Sequence, residues 1–200
     1  MTQTTARVPQ EERSRAMRAR LLEACVELLV ERGFAGTTTT LVSERAGVSR
    51  GAQLHHFPSK NDLVFAAVEH VTNVRGDELA AAASRLPGGT RRTRAVLEML
   101  ADHFTSPVFT AALELWVAAR TDADLLAEVA PLEQRVGRDT HRLTVELLGA
   151  DESLPGVREL VQATLDLVRG LGLASTITDD TRRRMRILDR WAEILEEQLA

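Results

Sequence analysis

The chain has 200 residues, 44% of them hydrophobic and 27% charged, with a formal net charge of −4. It is long enough to bury a real core, either as one domain or as a small domain joined to a larger one. A single cysteine, Cys25, excludes an internal disulfide and fits a reducing compartment. No apolar run approaches the roughly 20 residues that cross a bilayer, and the segment MTQTTARVPQEERSR lacks the apolar centre of a signal peptide. The expectation is a soluble cytoplasmic protein without a membrane partner.

Charge is unevenly distributed. Residues 1–60 carry nine Lys/Arg against six acids, a balance of +3, and the remainder carries −7. A basic end on an acidic body is a polarity that suits a polyanion.

Hydrophobic periodicity is helical nearly throughout, with no sustained alternation and no Asn-Gly or Asp-Gly turn. Residues 1–13 read as a flexible arm. A first helix is expected from about Ser14 to Arg32, with Leu21, Cys25, Leu28 and Leu29 on one face and Gly33 at its end. Thr38 can cap a short helix over 39–46, and Gly47 supplies a turn. A further short helix follows Ser49 and ends near His56, before Phe57-Pro58. Ser59 and Asp62 have capping-box spacing at the head of a long helix from Lys60 to about Arg85. Beyond the break Leu86-Pro87-Gly88-Gly89, helices are expected at about 91–105, 108–120, 124–148, 156–177 and 180–198, with Pro107 at a helix start and Pro131 beginning or kinking one.

The last two helices each carry two apolar stripes. One stripe docks a helix on its own domain, and a second points to a further partner. The expected partner is a second copy of the chain, meeting through Val161, Leu165, Val168, Gly172, Leu188, Trp191 and Leu195 in a four-helix interface. The alternative is an internal hairpin.

Two helices joined by a tight glycine turn across 39–56 have the form of a helix-turn-helix. In that form Val48 points inward, and Ser49, Arg50, Gly51, Ala52, Gln53 and His55 point outward. Arg50 can pair bidentately with guanine and Gln53 can read adenine. Hydroxyls at the helix starts, Thr38, Thr39 and Ser49, lie beside free N–H groups that suit phosphate. The Thr37–Thr40 run, which includes Thr40, also reads as no more than a capped loop.

The stretch from Glu31 to Lys60, ERGFAGTTTTLVSERAGVSRGAQLHHFPSK, resembles the DNA-binding domain of TetR-family transcriptional regulators. The matching elements are Gly33-Phe34, Thr37-Thr38, Ala46-Gly47-Val48-Ser49, Gly51, His56-Phe57 and Ser59-Lys60 followed by Leu63. The resemblance implies an all-α fold: a helix-turn-helix domain over 14–60 and a larger helical domain over 61–200 that binds a ligand and dimerises. It places Lys60 as a phosphate contact at a helix start. Two positions depart from the family pattern. Gln53 replaces the usual leucine, and Leu54 replaces a tyrosine that commonly touches phosphate. Leu54 then either meets DNA as an apolar contact or fills the core on a rotated helix.

The resemblance further implies a homodimer on an inverted-repeat operator, released when a small-molecule effector biases the long helix after Lys60. Bulky residues of the middle helices, Phe104, Phe109, Leu113, Trp116 and Val117, with His103 and Arg120, are candidate pocket walls. Core packing is the competing reading for each. Adjacent His55 and His56 point about 100° apart on a helix, so they do not form a metal site. No metal, cofactor or catalytic residue is expected. An all-helical enzyme and a protein-binding adaptor remain the competing classes. The sequence holds no phosphate loop and no G-x-S-x-G to favour an enzyme.

Overall fold

In the computed structural model, which describes residues 10–199, the predicted breaks become real helix ends because side chains satisfy the exposed amides. The helices are α1 (Gln10–Gly36), α2 (Thr39–Ala46), α3 (Arg50–His56), α4 (Lys60–Ala83), α5 (Arg92–Phe104), α6 (Pro107–Ala119), α7 (Ala123–Leu148), α8 (Val157–Ser175) and α9 (Thr181–Gln198). There is no strand among the described residues. Thr38 accepts a hydrogen bond from the Leu41 N–H at 3.2 Å, and Ser49 accepts one from Ala52 at 3.3 Å. Ser59 and Asp62 close the capping box, at 3.0 and 2.9 Å. Gly47 takes φ 62°, ψ 38° between α2 and α3, a left-handed conformation that costs glycine little.

Three boundaries differ from the sequence reading. α1 begins at Gln10, so residues 10–13 of the expected arm are helical; the rest of the arm lies outside the described residues. α1 also continues past Gly33 to Gly36 through a kink at Gly33 (φ 67°, ψ 177°). Pro131 neither starts nor breaks α7, which runs through it.

Two apolar cores form. The first gathers Leu21, Cys25, Leu28 and Leu29 of α1, Val42, Val48 and Phe57 of the helix-turn-helix, and Leu63 and Ala67 of α4. It continues into Ala111 and Leu115 of α6 and Leu125 of α7. The second joins Val96, Leu97 and Leu100 of α5 to Leu165 and Val168 of α8 and Leu188 and Leu195 of α9. The end of the molecule that carries α1 to α3 is therefore packed directly on α6, with no linker between them.

That packing corrects the expected dimer interface. Val161, Leu165, Val168, Leu188 and Leu195 are all at most 2% exposed within one chain, engaged with their own subunit's core. Gly172 is needed for another reason: a Cβ there would overlap the carbonyl oxygen of Phe104, so it lets α8 approach α5 closely. Of the residues assigned to the interface, only Trp191 reaches the outer face, where it borders a groove with Leu167 and Ile187. Its indole N–H donates to Thr164 at 2.9 Å. Both apolar stripes of α8 contribute to the chain's own core, since Val157 and Leu171 are buried as well as Val161, Leu165 and Val168.

Candidate nucleic-acid interface and inner chamber

At the reading end the structure sorts the predicted residues by what they already touch. Thr38, Thr40, Ser49, Arg50, Gly51, Leu54 and His55 are exposed, and Thr39 is half-buried. Gln53 is not on the surface. It is completely buried, and its side-chain amide donates to the Phe57 carbonyl at 2.7 Å. It closes the end of α3 from within and cannot read a base. Ala52, half-buried against the core, sits behind the face and not at its centre. Leu54 is 45% exposed, which resolves the alternative left by the sequence in favour of an outward apolar residue.

Lys60 also has a prior engagement. Its ammonium donates to the Phe34 carbonyl at 2.6 Å and lies 4.0 Å from the centre of the Phe34 ring. Burial holds its pKa below the usual lysine range, partly offset by Cys25. The same residue, Phe34, donates its backbone N–H to the Glu114 carboxylate of α6 at 2.7 Å. A Cβ on Gly33 would stand 2.8 Å from that carboxylate, so the kink needs glycine twice over, for its dihedrals and for space. Glu114 of α6, Phe34 of α1 and Lys60 of α4 thus form one junction between reading end and body. Asn61 adds a second tie, donating to Asp122 at 2.9 Å at the head of α7.

Arg45 is held by Glu27 and Glu31, at 3.1 and 2.8 Å, while Arg50 makes no salt bridge among the described residues. Arg18, which the sequence reading passed over, lies 5.1 Å from the Phe57 ring centre beside α3. Burial, then His55 and Arg18, lowers the His56 pKa and favours the neutral ring. The polar surface of this end includes the capping hydroxyls at two helix starts, the Arg50 guanidinium and the His55 imidazole around the glycine of α3, and, on α1, the exposed Arg13, Arg15, Arg18 and Arg20. Donors of that kind around a short protruding helix suit the phosphates and base edges of a duplex.

In the body, His103, Phe104, Phe109 and Trp116 come together. Their rings meet edge to face in series, with centroids 5.1, 5.3 and 5.9 Å apart. They wall a chamber of about 70 Å³ completed by Thr72 of α4, Glu133 and Val136 of α7 and Arg169 of α8. A larger cleft of about 600 Å³ shares Thr72, His103, Val136 and Thr140 with it. Leu113 packs into the second core instead, Val117 is 65% exposed, and Arg120 is exposed at the end of α6. None of these three lines the chamber. The α7 residues escaped the sequence reading, although Glu133, Val136 and Thr140 share a helical face and Gly137 leaves room beside them.

Charge in the chamber is tuned by enclosure. Burial raises the Glu133 carboxyl above the usual range, opposed by the Trp116 indole and then by Arg169. Burial, then Arg75, lowers His103, which favours its neutral ring. The Arg169 guanidinium lies 5.5 Å from the Phe104 ring centre.

A helix-turn-helix carried on a larger helical body with an aromatic chamber defines the class of DNA-binding transcriptional regulators. Residues 21–67 match the family described as bacterial regulatory proteins, tetR family. The transcriptional regulator CymR of Pseudomonas putida is 30% identical over 197 residues, covering 96% of this chain and 95% of CymR. The chain belongs to the TetR family. Among solved structures, a transcriptional regulator from Pseudomonas aeruginosa PAO1 superposes with a TM-score of 0.71 at 26% identity, covering 96% of this chain and 93% of that one. One from Saccharomonospora viridis, solved with choline, superposes at 0.74 with 17% identity, covering 92% and 97%.

Proposed function

We propose that the protein is a repressor that binds an inverted-repeat operator as a homodimer and lets go when a small molecule occupies the body. The observation that carries this reading is the Glu114–Phe34–Lys60 junction. Glu114 sits on α6 between Ala112 and Trp116, both of which line the chamber. A ligand that displaces α6 therefore acts on the kink of α1 and the start of α4, the helix that follows the reading head. In a dimer, two heads must stand about 34–36 Å apart to meet successive major grooves. A tilt of α4 changes that spacing, and the ligand acts through its preference for the tilted conformation. The choline complex of the Saccharomonospora viridis protein supports a small-molecule site in a body of this shape.

DNA contact falls to Thr38, Thr39, Thr40, Ser49, Arg50, Gly51, Leu54 and His55. Arg50 reads a base, and the hydroxyls hold phosphates. Dimerisation falls to the outer face of α8 and α9, where Leu167, Ile187 and Trp191 flank a groove of about 530 Å³ rimmed by Arg183, Arg186 and Arg190. A footprint on the DNA flanking its own gene tests the proposal. The expected result is a protected inverted repeat whose affinity falls steeply with salt. Protection of a single unrepeated site, or salt-independent binding, refutes it.

A further inference from the structure

The chamber between α4, α5, α6, α7 and α8 also carries a chemical preference, and this inference rests on reading it as the effector site. Two buried donors in its walls, the Trp116 indole N–H and the Arg169 Nε–H, have no hydrogen-bond partner. The indole sits near enough to Glu133 to favour its ionised form, but closes no hydrogen bond with it. Buried donors without acceptors are costly, so an occupant that brings an acceptor gains more here than it does in water.

Charge narrows the choice. One cation, Arg169, already lies on the Phe104 ring, and an ammonium ligand meets both that charge and a ring face in use. One acid, Glu133, faces any incoming carboxylate. The shared cleft outside holds Asp77, Asp139 and Glu146 against Arg135 and Arg142, which disfavours an anion on the way in. The ring series supplies apolar walls, and Arg169 is already paired with Asp166 at 2.8 Å, so it offers no unpaired charge to an anion.

We propose that the chamber, together with the cleft of about 600 Å³ that shares its walls, takes an uncharged, mostly apolar small molecule whose carbonyl-type acceptor, such as a ketone, ester or amide, enters the chamber and receives hydrogen bonds from Trp116 and Arg169.

Four matched probes test this on the full chain: acetophenone, ethylbenzene, benzoate and benzylamine. The chain has two tryptophans, and Trp191 is already bonded to Thr164. The Trp116 indole proton therefore gives its own ¹⁵N-edited NMR signal, assigned by its loss in Trp116→Phe. Acetophenone is expected to move that signal downfield and to bind about tenfold more tightly than the other three, the order of one neutral hydrogen bond. Trp116→Phe is expected to bring the acetophenone-to-ethylbenzene affinity ratio close to one, whatever it does to the affinity of either probe alone. The ranking in the unmodified protein stands even where the variant folds poorly. Ethylbenzene equal to acetophenone overturns the proposal. Tighter binding by benzoate or benzylamine also overturns it, but if either charged probe shifts the Trp116 signal and weakens DNA binding, the effector-site reading survives. No binding by any probe at millimolar concentration removes both.

Discussion

The reading head and the body use polar side chains in opposite ways. In the head several are engaged with the fold: Thr38, Ser49 and Ser59 cap helices, Gln53 closes α3, Lys60 holds Phe34, and Arg45 is clamped by two glutamates. What remains for a partner is Arg50 together with the exposed arginines of α1, Arg13, Arg15, Arg18 and Arg20. In the body two donors inside the chamber are left without partners, whereas the head leaves the Gln53 Oε1 acceptor unpartnered, sealed inside the core where nothing can reach it. The head is built to hold one shape and present it. The body keeps unmet demand where something else can supply it. Fixed geometry suits recognition of a rigid duplex, and unsatisfied groups suit a site whose occupancy changes the molecule.

The largest expected effect lies in the body's own core. Leu165 is 2% exposed, so Leu165→Asp removes a buried side chain and places a carboxylate among apolar neighbours. A loss of at least about 4 kcal/mol in urea unfolding is expected. By contrast Ile187→Glu, on the outer face of α9, should cost about 1 kcal/mol or less in folding yet convert dimer to monomer in sedimentation at micromolar concentration. If both variants remain folded dimers, the division between inward and outward stripes is wrong.

Next comes the reading face. Arg50→Ala should weaken operator binding by about 1–3 kcal/mol and relax preference at one base pair, measured by titration at fixed salt. Gln53→Ala, at a buried position, should change folding stability without altering which base is preferred. A shift in base preference with Gln53→Ala would return Gln53 to the surface.

The contrast also explains what the sequence made legible. Helix limits were readable because caps and glycine turns are local: Thr38, Gly47, Ser49 and Ser59 act over three or four residues. Which positions of α3 are exposed was readable except at Ala52 and Gln53, and at Gln53 chemistry misled. A glutamine in a slot that the family usually fills with leucine stays inside because its amide finds the Phe57 carbonyl, a tertiary fact. The chamber was half legible. Phe104, Phe109 and Trp116 are conspicuous in a chain with 4% aromatics, but Glu133 and Arg169 arrive from α7 and α8, and no local pattern announces that meeting. For α8 and α9, periodicity reveals two stripes and is silent on how much of each the chain's own core covers.

A smaller effect is expected at the junction. Glu114→Ala leaves the Phe34 N–H without its acceptor, in a partly buried place, for a loss of about 1–2 kcal/mol. Stability alone does not separate a strut from a transmitter. The discriminating measurement is the response to ligand: with Glu114→Ala, operator affinity without ligand should change little, while the ligand-induced drop in affinity shrinks. An unchanged drop means that α6 does not act through Phe34.

The smallest effect concerns acid. The Asp122 carboxylate caps α7, accepting from Leu125 at 3.0 Å, and also accepts from Asn61 at the head of α4. The Leu125 N–H, then Asn61, holds its pKa below the usual aspartate range. A carboxyl whose folded pKa is depressed binds its proton more readily when unfolded. Its contribution is therefore present above the ordinary aspartate range and is lost as pH falls through the folded value. Asp122→Asn keeps an acceptor for Leu125 but removes the titration. Its thermal midpoint should match the unmodified protein at pH 3 more closely than at pH 7, where the unmodified protein is more stable. An equal gap at both pH values would mean that Asp122 acts by shape alone, and that the tie between α4 and α7 owes nothing to its charge.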